Sequence, residues 1–197
     1  MTQRIGIVLF DGAEELDFAG PWEVFTMAAR LVPGLEVLTA AESERPVLCA
    51  KGMRVLPERR LDAVGDLDVV LVPGGQGTRR EVGNPVLIEW LRKIAARCTF
   101  VTSVCTGALL LCEAGLARGR VTTHWAFVSE LRQRYPHVEV LENVRYVRDA
   151  NVVTAAGVSA GIDMALWLCG QLWGVDVARN AQRAMEYDPA PPYAAEV

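Results

Sequence analysis

Short unbroken apolar runs alternate along the chain with segments whose apolar residues recur at helical spacing. Ile5–Phe10 (IGIVLF), Val69–Val72 (VVLV), Phe100–Val104 (FVTSV) and Val152–Ala155 (VVTA) read as strands covered on both faces, and Leu35–Leu38 as a shorter fifth. Helices are predicted from Pro21 to Leu31, with a proline suited to a first helical turn, and from Asn84 to Ala96, where Asn-Pro supplies cap and first position. Others are predicted from Thr106 to Ala114 (stopped by Gly115), from Trp125 to Arg134, over Gly161–Trp173 as a buried helix, and over Val175–Met185. Pro46–Val55 and Glu139–Arg148 read as hairpin ribbons near sheet edges. The proline-rich tail from Asp188 to Val197 reads as surface, with Tyr193 as its anchor.

Strand–helix alternation with apolar strands predicts an α/β protein: a flavodoxin-like three-layer sandwich whose mostly parallel sheet lies between helical layers. At 197 residues the chain fits one domain over residues 1–197. Its 51% hydrophobic and 22% charged residues exclude a disordered chain. A net charge of −4 without a Lys/Arg block argues against nucleic acid as a partner. No run reaches the ~20 apolar residues that span a bilayer, and the N-terminus lacks a secretory pattern, so a cytoplasmic protein is expected.

Ligands of open α/β sheets bind beyond the carboxyl ends of the strands. The residues there are small, glycine-bearing or acidic: Asp11–Asp17, Pro73–Gly77, Cys105–Gly107 and Ala156–Gly161. The five cysteines form no CxxC pair, and most are expected to be buried reduced thiols. Cys105 differs, because Ser103-Val104-Cys105-Thr106-Gly107 joins a strand to a short helix in the layout of a nucleophile elbow. The following helix terminus is expected to favour the thiolate, making Cys105 the thiol that alkylates fastest near pH 7. The plainer alternative is a buried structural cysteine.

Pro73-Gly74-Gly75-Gln76-Gly77 lacks the pattern of a nucleotide-phosphate cradle. It offers either backbone N–H groups for developing negative charge beside the cysteine or an ordinary strand-end turn. Asp17 lies between Leu16 and Phe18, where burial raises a carboxyl pKa towards neutrality and suits proton transfer, whereas Glu14 and Glu15 read as solvated or capping. His124 is either a partner for Cys105 or a cap of the next helix, and His137 reads as surface. No metal-ligand spacing is present. Of five tryptophans, Trp90, Trp167 and Trp173 read as core, while Trp22 and Trp125 sit where either walls an apolar pocket.

Taken together, LDFAGPWEVF, DVVLVPGG, FVTSVCTGALLL, TTHWAF, AAGVSAGIDMAL and RAMEYDPAPPY resemble the ThiJ/PfpI superfamily of the class-I glutamine amidotransferase-like fold, over nearly the whole chain. Cys-Thr-Gly at the elbow, LDFAGP at the acid and the ending MEYDPAPPY are most similar to the isonitrile hydratases. The resemblance implies hydration of an isonitrile to an N-substituted formamide. Cys105 forms a thioimidate, Asp17 acts as general acid and base, and Thr106 orients substrate or water. Gly74, Gly75, Gly157 and Val158 line the substrate and oxyanion pocket. It also implies a homodimer acting on a small-molecule substrate without metal or organic cofactor. Three alternatives remain open: a glyoxalase- or deglycase-like enzyme acting on reactive aldehydes, a redox-sensing or chaperone-like dimer using Cys105 oxidation, and a ligand-binding module descended from a regulator. Peptidase-like members carry Cys-His where this chain has Cys105-Thr106, and glyoxalase-like members usually carry Glu where it has Asp17. Regulators of the same fold add a helix-turn-helix module; because the chain ends soon after Met185, none is expected here.

Overall fold

In the computed structural model, which describes residues 3–188, the chain opens with β1 (Gln3–Val8), α1 (Glu15–Ala29) and β2 (Leu35–Ala41). Three short strands follow, β3 (Val47–Leu48), β4 (Arg54–Val55) and β5 (Arg59–Arg60). The central segment is β6 (Val69–Val72), α2 (Thr78–Glu81), α3 (Pro85–Ala95), β7 (Phe100–Val104) and α4 (Gly107–Glu113). Then come β8 (Arg120–Val121), α5 (Val128–Arg134), β9 (Glu139–Val140), β10 (Tyr146–Asp149), β11 (Val152–Ala155), α6 (Ala160–Trp173) and α7 (Val175–Ala184).

Seven strands form the main sheet in the order β10-β11-β7-β6-β1-β2-β5, parallel except for β10 against β11. The predicted mostly parallel α/β sheet is therefore present. Strands β6, β7 and β11 are buried along their whole length, as continuous apolar runs require when helices cover both faces. The chain steps from β1 to β2 in one direction and from β6 to β7 in the other. With right-handed crossovers, α1 then lies on one face and α3 on the opposite face. Consistently, α1, α6 and α7 pack together, while α2 and α3 pack on α4. The reversal between β1 and β6 opens a crevice at their carboxyl ends. Register fixes what meets there: Val72 lies beside Ser103, and Ser103 beside Thr154, so β6, β7 and β11 release their chains at one edge.

Several predicted boundaries move. Helix α1 starts at Glu15, not Pro21, and Pro21 sits inside it. An interior proline costs about 3 kcal/mol, and burial of Phe18, Val24 and Phe25 on the same helix offsets it. Helix α3 begins as predicted, with Asn84 Oδ1 accepting from Val86 N at 3.0 Å ahead of Pro85. The segment from Trp125 splits into a 3-10 turn (Trp125–Phe127) and α5. Helix α6 buries one face, through Ala160, Met164, Ala165 and Leu168, and leaves Trp167 and Trp173 half-buried.

The ribbon at 46–55 is present as the antiparallel β3–β4 pair. The second predicted ribbon is not a hairpin: β9 pairs in parallel with β8, while β10 pairs with β11 at the sheet edge. Period-two patterning specifies which face is buried but not which strand is the partner. Tyr193 and residues 189–197 lie outside the described residues.

Candidate active site

Strand β7 delivers Cys105 into a turn with φ 56°, a left-handed conformation that is uncommon for a side-chain-bearing residue and is held here by its surroundings. The Cys105 N–H donates to the carbonyls of Ala155 (3.1 Å) and Ala156 (3.0 Å), and the Cys105 carbonyl accepts from Thr123 Oγ1 at 2.8 Å. Gly107 permits the turn, since a Cβ there would sit 2.3 Å from the Val72 carbonyl oxygen. This is the geometry of a nucleophile elbow. Val158 is a second left-handed residue, at φ 52°, and a β-branched side chain makes that conformation still rarer.

Asp17 lies between these two strained residues and is fully buried, in the first turn of α1. Its Oδ2 accepts from Gly74 N at 2.9 Å, while Oδ1 has no partner in ordinary hydrogen-bond geometry. Burial pushes the Asp17 pKa up to about 7, against the opposing pull of the Gly74 N–H, the Cys105 thiol and the Val158 N–H. Burial and then the nearby Asp17 charge push the Cys105 thiol up to about 12, although the Thr106 N–H and hydroxyl favour the thiolate. The expected neutral-pH thiolate is thus corrected. The seven-residue α4 does not outweigh desolvation at a cysteine that is 7% exposed.

The oxyanion expectation for Gly74 and Gly75 also changes. The Gly74 N–H is engaged by Asp17, and the Gly75 N–H donates to Thr106 Oγ1 at 3.0 Å. Both glycines instead permit close approach. A Cβ on Gly74 would lie 2.5 Å from Thr106 N, and one on Gly75 would lie 2.3 Å from the Gly12 carbonyl oxygen. The Thr106 hydroxyl is itself tied to Gly75 and, at 3.1 Å, to the buried Thr78 Oγ1, so it braces the loop rather than pointing freely to a ligand.

A cavity of about 240 Å3 opens over this cluster, with Gly75, Cys105, Thr106, His124, Phe127 and Val158 in its wall. His124 caps the 3-10 turn, its Nδ1 accepting from Ala126 N at 3.2 Å, which assigns the ring proton to Nε2. It therefore serves as the predicted cap while also facing the cavity. Gly157 stands apart: it lines a neighbouring cavity of about 310 Å3 with His124 and Trp125, and a Cβ there would strike the imidazole at 2.1 Å. Trp125 is 82% exposed at that second cavity, whereas Trp22 packs against the core. Cys49, Cys98, Cys112 and Cys169 are buried, as expected for structural thiols. Sequence reasoning missed Arg79, Phe127 and Thr78. Of these only Phe127 had a signal, its place in TTHWAF.

A cysteine elbow at the switch point of a mostly parallel sheet, with a buried carboxyl beside it, defines a class of small α/β proteins. The chain belongs to one such group, the DJ-1/PfpI family, whose pattern matches residues 3–171. An isonitrile hydratase from Pseudomonas putida is 38% identical over 98% of this chain and 82% of its own length. The transcriptional regulator CdhR of Pseudomonas aeruginosa is 31% identical over 90% of this chain, which spans about half (53%) of that regulator. The crystal structure of a ThiJ/PfpI family protein from Pseudomonas syringae superposes with a TM-score of 0.89 at 30% identity, covering 100% of this chain and 80% of the other. Among the described residues no helix is long and apolar enough to cross a membrane.

Proposed function

We propose that the chain is an isonitrile hydratase in which Cys105 is the nucleophile and Asp17 moves the proton. The observation that carries this reading is the pairing of a buried carboxyl, its pKa near 7, with the elbow cysteine, while the Gly74 and Gly75 N–H groups are already engaged. Acyl transfer develops charge on an oxygen and needs free donors around it. Attack on the terminal carbon of R–N≡C develops charge on that carbon, which needs a proton instead. A group with its pKa near the operating pH is suited to take a proton and return it.

The steps follow from the charges. The Asp17 carboxylate removes the Cys105 thiol proton as sulfur bonds to the isonitrile carbon. The protonated Asp17 returns that proton to the same carbon, giving the thioimidate R–N=CH–S–Cys105. Asp17, again a carboxylate, takes a proton from water as the water oxygen adds to the thioimidate carbon. Asp17 passes that proton to the nitrogen, and the adduct collapses as its C–S bond breaks and the hydroxyl proton goes to the sulfur, releasing R–NH–CHO and restoring the Cys105 thiol and Asp17 carboxylate. The balance is one isonitrile and one water consumed for one formamide formed. Thr106 is a positioning residue that holds Gly75 through its hydroxyl. The nearby Val158 N–H favours the charged form of the Asp17 carboxyl.

The test is formamide release from phenyl isonitrile, followed by chromatography, with methylglyoxal consumption measured alongside. Wild type is expected to release formamide and both Cys105→Ala and Asp17→Asn to lose it. Methylglyoxal consumption without formamide would replace this reading with aldehyde chemistry.

A further inference from the structure

The Cys105 cavity contains a positive charge that the mechanism above does not use. Arg79 stands in its wall, with its guanidinium over the Phe127 ring, 4.5 Å from the centroid. Arg79 Nη1 donates to the Gly75 carbonyl at 3.2 Å and to Thr78 Oγ1 at 3.3 Å. Those contacts fix the orientation of the plane. They leave Nε and Nη2 without a protein acceptor among the described residues, although the group carries five N–H donors in a fork that fits a carboxylate.

The neighbouring charges are already compensated. Arg80 is bound to Glu81 at 2.7 Å and to the Asp11 carbonyl. Glu14, the acidic side chain in the same wall, is paired with Lys51. Asp17 is buried behind Cys105, and the His124 Nδ1 is occupied by its backbone bond. No carboxylate among the described residues pairs with Arg79. A cation with unused donors at the mouth of a small cavity is a receptor for an anion. The same wall carries Phe127, Ala126 and Val158, an apolar part beside its polar side chains. At about 240 Å3 the cavity lies below the roughly 300–1,000 Å3 of drug-sized sites, so the ligand is small.

Building on the hydratase reading, we infer that the substrate is an isonitrile whose R group ends in a carboxylate, with Arg79 as the residue that selects it. The isonitrile carbon meets Cys105, the apolar body lies along Phe127, and the carboxylate takes the free edge of the Arg79 fork.

Calorimetric titration of the wild-type protein with two product formamides, 4-formamidobenzoate and formanilide, tests the site without requiring turnover. The carboxylate is expected to bind at least tenfold tighter at low salt, with the gap narrowing as salt is added. Arg79→Met is expected to remove the difference and Arg79→Lys to restore part of it. In turnover, the ratio of kcat/KM for 4-isocyanobenzoate to that for phenyl isonitrile is expected to fall at least tenfold in Arg79→Met. Formamide from phenyl isonitrile with no carboxylate preference would overturn the inference and leave the hydratase reading intact. A carboxylate preference that depends on Arg79, with no formamide from either isonitrile, would overturn the hydratase reading and leave Arg79 as an anion site.

Discussion

Asp17 is where the proposed chemistry and the stability of this protein meet. Its carboxyl is held near pKa 7, whereas the unfolded chain returns it to about 3.8. Between those values the folded state keeps a proton that the unfolded state gives up. Stability therefore falls as pH rises through that window and stays lower above it. A shift of this size corresponds to roughly 4 kcal/mol as an upper bound. Asp17→Asn keeps an acceptor for the Gly74 N–H without the titration. Its Tm is expected to exceed that of wild type by more at pH 8 than at pH 5, as read by differential scanning calorimetry. A gap between the two that does not change with pH would show that Asp17 does not titrate in this window.

Cys105 is the matching residue. With its thiol pushed up to about 12, iodoacetamide labelling is expected to be slow at pH 7 and to quicken about tenfold per pH unit. Fast labelling at pH 7 would indicate a thiolate that this site does not favour. In the proposed mechanism the reactivity comes from proton transfer to Asp17 during attack rather than from a standing thiolate.

At the scale of elements, the elbow depends on what lies beneath it. Gly107→Ala would drive a methyl to within 2.3 Å of the Val72 carbonyl oxygen, in a strand whose residues are all buried. The β6–β7 framework has no room to yield. A loss of about 1–3 kcal/mol is expected in urea denaturation, together with a fall in turnover larger than the stability loss alone explains. An alanine tolerated without change would mean that the turn does not need the glycine.

Elements also show what the sequence reveals and where it falls short. The apolar runs of β6, β7 and β11 were readable because continuous burial leaves a continuous pattern. The Asn84-Pro85 start of α3 was readable because its capping is local. The start of α1 was not, because Pro21 gives a local first-turn signal that the packing of Phe18 and Phe25 overrides. The 139–148 segment misread for the opposite reason. Val140 and Val147 sit in segments that read as one ribbon, but β9 takes the earlier β8 as its partner, while β10 turns directly back onto the following β11.

On the scale of the whole molecule, the reversal of strand order between β1 and β6 brings distant residues together. Asp17 precedes Gly74 by 57 positions and reaches it at 2.9 Å because α1 and the loop after β6 enter the same crevice. Sequence position relative to strand ends was enough to nominate Asp17, Cys105, Thr106, Gly74, Gly75 and Val158, which the fold gathers into one cluster. What sequence position did not convey is the direction of each N–H group. Gly74 and Gly75 carried the right composition for an oxyanion pocket, yet their N–H groups face Asp17 and Thr106. Arg79 escaped notice because an arginine beside a glycine loop carries no pattern until the Phe127 ring is placed beneath it.

In the proposed function Asp17 and Cys105 act as one proton-sharing pair on an isonitrile. The most direct test is kcat/KM for phenyl isonitrile between pH 5.5 and 8.5, in wild type and Asp17→Asn. Since the carboxylate is the form that takes the thiol proton, wild-type kcat/KM is expected to rise with pH through a limb near 7. Asp17→Asn is expected to fall roughly 100-fold or more and to lose that limb. A flat wild-type profile, or an Asp17→Asn enzyme at the wild-type rate, would contradict the account.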